Sequence, residues 1–115
     1  ATADPDIVVY RITGALFFGA TASIGSVLDR IDDRHKALIV DFSAVPFLDS
    51  TGAHMIDGLA RKARSRKVEL WLTGASRHMR RELLMHGLRK PFVHHAASVD
   101  RALAALQRRK TEGVS

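Results

Sequence analysis

The strongest constraint on the fold is a nearly unbroken apolar run in the first half of the chain, Ala37-Leu38-Ile39-Val40-Asp41-Phe42. A strand with one face in water alternates apolar and polar residues. A continuous apolar run instead indicates a strand that is covered on both faces and has parallel neighbours. This run therefore predicts a central strand of an α/β sheet.

A helix start follows this strand after a short loop. The tetrad Asp49-Ser50-Thr51-Gly52 contains good N-cap residues, and from Met55 to Ala63 apolar residues recur at spacings of three and four. Gly52 leaves backbone N–H groups uncovered at the positive end of the helix dipole, so a phosphate or a nucleotide is a weak candidate ligand there. By itself the tetrad is a weak signal, because helix starts commonly use these residues.

The other elements are predicted from apolar periodicity and turn residues. Further strands are expected at 7–12, 16–18, 68–73 and 92–95, and further helices at 20–31, from the cap Ser76 to Gly87, and after the cap Ser98. The fold class is thus α/β, with a mixed sheet of about five strands and about four packed helices. We expect a single domain over residues 1–115, with a core at about 7–110 and a flexible tail at 111–115.

The composition narrows the class of protein. There is no cysteine, which excludes disulfides, thiolate metal sites and cysteine nucleophiles. No apolar run approaches the roughly 18 to 20 residues that cross a bilayer, so we expect this piece to be soluble.

Charge is distributed unevenly along the chain. Residues 1–60 carry four basic and eight acidic side chains, whereas residues 61–115 carry fourteen basic and four acidic ones. The basic half could meet anionic lipid headgroups, an acidic protein or nucleic acid, or form solvated helix faces. One Trp and one Tyr offer little stacking surface and no recognition motif is present, which disfavours nucleic acid.

No catalytic or metal-binding pattern is found. His54 lies three or four residues after Thr51 and Ser50, but a helical histidine at that spacing points along the helix, and no third orienting group follows. His94 and His95 are adjacent in a predicted strand and should face opposite ways, so they cannot readily share one ion. The chain is not expected to be an enzyme or to hold a metal.

A wider motif around the helix start resembles a known family. Val45-Pro46-Phe47-Leu48 followed by the tetrad 49–52, after a strand ending in Asp41-Phe42, is similar to the STAS domain of sulfate transporters and anti-sigma-factor antagonists. The resemblance covers about residues 7–110. In antagonists of this family the third residue of the tetrad is phosphorylated, which implies Thr51 here, although serine is common at that position.

A second fragment distinguishes two branches of the family. The stretch 11–20, with the pair Phe17-Phe18 after Leu16, resembles the opening of STAS domains that end SulP-type anion transporters. This implies a regulatory and docking domain on the cytoplasmic side of the membrane, in contact with the transmembrane domain of the same transporter. Docking residues would be Leu16, Phe17 and Phe18, with Arg77, Arg80 and Arg81 facing an acidic partner such as acyl carrier protein. The alternative is a stand-alone antagonist that is switched by phosphorylation at Thr51.

Overall fold

A parallel sheet forms the centre of the domain. The computed structural model describes residues 6–13 and 36–114. Within these ranges the sheet contains, in spatial order, β1 (Ile7–Thr13), β2 (Ala37–Ala44), β3 (Glu69–Thr73) and β4 (Val93–Ala96), all parallel. These four predicted strands are confirmed. The predicted strand at 16–18, the helix at 20–31 and any antiparallel pairing that would make the sheet mixed lie outside the described residues.

Three helices connect and follow these strands. They are α1 (Ser50–Ser65), α2 (Arg77–Met85) and α3 (Val99–Val114). All three were predicted in these places. Residues 111–114, which were predicted to belong to a flexible tail, form the end of α3, which continues to Val114.

The helices cover both faces of the sheet. Residues 37–42 of β2 are all buried, as the apolar run predicts. The α1 and α2 helices pack on one face, where Ile56 and Leu83 join a core with Leu38, Val40 and Phe42. The α3 helix packs on the other face. Its buried residue there is Ala102, in a smaller cluster with strand residues that include Ile39 and Trp71.

Local capping sets the helix ends. The Ser76 side chain accepts a hydrogen bond from the Met79 N–H at 3.2 Å at the start of α2. After α2, Gly87 has φ +82°, and the Leu88 N–H donates to the Leu83 carbonyl at 3.1 Å. This is the Schellman ending expected from the glycine, since few other residues adopt that backbone conformation at low cost.

The parallel topology gathers the strand ends at one edge of the sheet and the strand starts at the opposite edge. Each helix begins where a strand ends and runs back, so the ends of β2, β3 and β4 lie beside the starts of α1, α2 and α3. We call this the carboxyl edge. The opposite, amino edge collects the strand starts and the helix ends. No helix in the ranges given above is long and apolar enough to span a bilayer.

Candidate functional site

A buried carboxylate connects three strands at the carboxyl edge. Asp41 is 2% exposed, and its register partners are Arg11 on β1 and Thr73 on β3. Arg11 Nε donates to Asp41 Oδ2 at 3.0 Å, Thr73 Oγ1 donates to Asp41 Oδ1 at 2.9 Å, and the Ser43 hydroxyl donates to Oδ2. These four residues are called the Asp41 cluster below.

The cluster keeps Asp41 ionised. Burial acts to raise the pKa of this carboxyl, but hydrogen bonds from Ser43, Thr73 and Arg11, with the positive charge of Arg11, outweigh burial and hold the pKa below its ordinary value. Both carboxylate oxygens accept hydrogen bonds from the protein. The group is therefore suited to fixing the strand ends in place, and poorly suited to taking a proton from a substrate.

The backbone comes very close to this cluster at the end of β3. Gly74 has φ +70°, and a Cβ atom there would lie 2.7 Å from Asp41 Oδ1 and 2.9 Å from the Ser43 backbone nitrogen. Glycine is thus required at position 74 for packing as well as for backbone conformation.

Beside the cluster is a cavity of about 600 Å³, bounded in part by Val9 and by Ser98 at the start of α3.

The tetrad 49–52 begins α1, as predicted. Asp49 is the N-cap residue, and its Oδ1 accepts a hydrogen bond from the Gly52 N–H at 2.8 Å. The premise of an uncovered N–H at Gly52 is wrong, because Gly52 is buried and the Asp49 carboxylate already occupies that donor. Ser50 and Thr51 are exposed. Binding of a phosphate or a nucleotide here stays a prediction with less support.

The remaining predicted site residues are only partly brought near this helix start. Arg77, Arg80 and Arg81 lie on α2 and are exposed, and Arg77 begins that helix at the same carboxyl edge as Asp49. The predicted docking segment Leu16, Phe17 and Phe18 lies outside the described residues.

Sequence reasoning did not identify the Asp41 cluster. In the sequence Asp41 marks the end of an apolar run and precedes the family motif, but two of its three partners, Arg11 and Thr73, are 30 and 32 residues away in the chain. One signal was available, because a charged residue at an inward position of a two-sided strand must find partners. That signal does not say which residues they are.

The adjacent histidines face opposite sides of the sheet, as predicted. His94 stacks on Trp71 at 4.7 Å between ring centroids, and its Nε2 lies 3.3 Å from Glu69 Oε1. The His95 Nε2 instead donates to the Leu88 carbonyl oxygen at 2.7 Å. No group of three or more His, Asp or Glu side chains that could hold a metal occurs in the described part of the chain.

The environment of His95 predicts a pH dependence of stability. Burial lowers the pKa of His95, and the charges of Arg80 and His94 act in the same direction, against the hydrogen bond to Leu88. The folded state therefore binds this proton more weakly than the unfolded chain. We expect the free energy of unfolding to fall as the pH drops below the ordinary histidine value of about 6.5 toward the lower folded value.

Urea denaturation at several pH values tests this expectation. The loss of stability on acidification should be smaller in His95→Gln than in the parent protein. His78→Gln removes an exposed histidine on α2 and should leave the loss unchanged. Equal pH dependence in the parent and in His95→Gln would contradict the assignment.

Comparison with known proteins identifies the family. The STAS domain model matches residues 1–102, and the chain belongs to this family. Among curated proteins it is similar to the "Putative sulfate transporter YvdB" of Bacillus subtilis (strain 168), with 26% identity over 99 residues. That alignment covers 80% of this chain and 19% of the relative, so the chain spans about a fifth of that protein's length.

Solved structures agree on the fold. A sulfate transporter family protein from Wolinella succinogenes superposes with a TM-score of 0.79 at 28% identity, covering 93% of this chain and 89% of that one. The anti-sigma factor antagonist SpoIIAA in its unphosphorylated form superposes with a TM-score of 0.65 at 20% identity, covering 93% and 94%. The predicted STAS fold is thus confirmed, and both branches of the family share it.

Proposed function

We propose that this chain is the cytoplasmic regulatory and docking domain of a SulP-type anion transporter, and that it acts through protein contacts without catalysing a reaction. The observation that carries the proposal is the similarity to YvdB, in which the matching region is a small part of a much longer protein. The 28% identity with the Wolinella succinogenes protein supports the same branch. Its main partner is then the transmembrane domain of the same transporter.

The carboxylates described above support a role without catalysis. Both oxygens of Asp41 accept hydrogen bonds from protein groups, and the Asp49 carboxylate caps α1. A general base must reach a substrate proton, and these groups are already engaged in holding the backbone.

Two exposed surfaces at the carboxyl edge support docking. Next to the start of α1, Phe47 is 53% exposed and precedes the exposed Ser50 and Thr51. Aromatic side chains are enriched in protein–protein interfaces relative to the rest of the surface, so the exposed Phe47 ring supports a contact here. On α2, the exposed Arg77, Arg80 and Arg81 would face an acidic partner such as acyl carrier protein.

The size and location of the native protein test this function. We expect an antibody raised against this domain to detect, on a denaturing blot of the source cells, a membrane-bound band several times heavier than 12.7 kDa. A soluble band near that mass would overturn the proposal and favour the antagonist.

The antagonist remains the second candidate because Thr51 is exposed in the first turn of a helix. A phosphate there would add roughly −1.5 to −2 charges. The helix dipole favours this charge and the Asp49 carboxylate opposes it. The fold should therefore tolerate the modification, while the charge of the exposed surface around Thr51 changes strongly.

Substitution at Thr51 separates the effect of charge from that of shape. Thr51→Glu should leave the thermal unfolding midpoint nearly unchanged and should abolish binding to a kinase-like anti-sigma factor, if the chain is an antagonist. Glutamine has nearly the same shape as glutamate but carries no charge, so Thr51→Gln should keep that binding. Isothermal titration of both variants measures the difference, and equal binding by the two would exclude a charge switch at this residue.

A further inference from the structure

Phe92 is an exposed aromatic residue with cations around it at the amino edge of the sheet. Its side chain is in the loop between α2 and β4 and is 53% exposed. The guanidinium carbon of Arg64, near the end of α1, lies 4.2 Å from the centroid of the Phe92 ring. Arg89 and Lys90, just before it in the loop, are also exposed. We propose that this edge binds an anionic lipid surface, with Phe92 entering the apolar layer beneath the headgroups.

The positive charge around Phe92 is concentrated on this edge by the fold. The last two turns of α1, the short segment after it and the loop before β4 all meet here, and together they carry seven exposed cations: Arg61, Lys62, Arg64, Arg66, Lys67, Arg89 and Lys90. Among the described residues, two acidic side chains that contact this region are Asp57 and Glu69. Asp57 pairs with Arg61 at 3.1 Å, and Glu69 contacts Trp71 and His94. The described segments that meet here therefore carry more cations than acidic side chains.

Helix stability explains only part of this arrangement. Cations in the last turn of α1, namely Lys62 and Arg64, complement the negative end of the helix dipole. Arg89 and Lys90 lie beyond the end of α2 at Met85, outside the last turn where the dipole acts. Met85 is 75% exposed and adds a second apolar side chain at this edge.

A lipid surface fits this combination better than nucleic acid does. Single exposed apolar residues are ordinary on proteins. An aromatic side chain amid cations, however, matches a layer with anionic headgroups outside and hydrocarbon inside. Nucleic acid is bound by several stacking rings, whereas the described residues of this edge present one exposed aromatic ring, Phe92. The inference rests on the proposed function, which places the domain beside the cytoplasmic leaflet of the membrane.

Sedimentation of the purified chain with vesicles tests the proposal. We expect binding to phosphatidylcholine vesicles that contain phosphatidylglycerol, little binding to phosphatidylcholine alone, and weaker binding as salt is raised. Arg89→Ala with Lys90→Ala should lower the partition coefficient about 25-fold, because each cation near an anionic surface contributes about fivefold. Phe92→Ala should lower it about tenfold and retain the preference for the anionic lipid.

A matched control tests whether the loss of vesicle binding is specific to cations at the amino edge. Arg77→Ala with Arg101→Ala removes the same charge from exposed positions at the starts of α2 and α3, at the carboxyl edge. This control should lower binding by less than about twofold. All substituted residues are exposed, and equal urea midpoints would show that the fold is retained.

Three results would overturn the proposal. They are a failure to bind anionic vesicles, an equal loss in the control, and binding of single-stranded RNA or polyglutamate in place of vesicles with the same dependence on Arg89 and Lys90. The blot tests the proposed function and the vesicle assay tests the lipid surface, so either proposal can be rejected without the other. A light soluble band would reject the transporter domain and leave measured vesicle binding intact, whereas a heavy membrane band with no vesicle binding would reject only the lipid surface.

Discussion

Asp41→Ala is expected to lower the free energy of unfolding by about 3 kcal/mol. The substitution removes the acceptor of three hydrogen bonds and leaves the hydroxyl of Thr73, which is 0% exposed, without its partner. Arg11 contributes less to this loss, because its side chain is 64% exposed and can be hydrated. Urea denaturation followed by circular dichroism measures the change.

Two controls separate the charge of Asp41 from its shape and its burial. Asp41→Asn keeps an oxygen that can accept from Thr73, so its cost should be smaller, about 1 to 2 kcal/mol. Asp57→Ala breaks the ion pair with Arg61 on the surface of α1 and should cost less than about 1 kcal/mol. If Asp41→Ala were no more costly than Asp57→Ala, the cluster would not stabilise the sheet.

The second large effect is expected at Gly74. Gly74→Ala should lower the free energy of unfolding by about 3 kcal/mol, of which about 1 to 2 kcal/mol is the cost of a left-handed conformation for a residue with a Cβ atom. The rest comes from contact with Asp41 Oδ1 and the Ser43 backbone nitrogen, which lie 2.7 and 2.9 Å from the new atom. The backbone nitrogen cannot rotate away, so β2 or the loop after β3 must shift.

Gly87 provides the matched control for this prediction. It also has positive φ, +82°, but a Cβ atom there would have no neighbour within 4 Å. Gly87→Ala should therefore show only the conformational cost of about 1 to 2 kcal/mol. The difference between the two variants, measured as urea midpoints with equal m-values, gives the steric part. Equal losses would mean that the approach of Gly74 to Asp41 is not tight.

These two positions also connect stability to the proposed docking surface. Ser43 lies near the end of β2, shortly before the segment that leads to the cap Asp49, and Gly74 begins the segment that leads to the cap Ser76. The Asp41 cluster thus holds the starting points of both helices at the carboxyl edge. A substitution that disrupts the Asp41 cluster should therefore shift the exposed residues around Thr51, although none of those residues is itself substituted.

Much of the fold is predictable from local patterns. The burial of 37–42 on both faces follows from an apolar run, and the caps Asp49 and Ser76 and the ending at Gly87 follow from residue types within four positions of each helix end. The family resemblance around 45–52 is also a property of contiguous residues. Capping and helical periodicity act over three or four residues, so the sequence alone determined these features.

Other features depend on which strand lies beside which. Register in the sheet brings Arg11, Asp41 and Thr73 together across 30 and 32 residues of chain, and no local pattern reports that distance. The order of strands and the return of each helix gather Arg64, Lys90 and Phe92 on one edge. Only the tertiary structure decided these groupings, because the free energy of burying Asp41 and the field of many cations both depend on distances in space.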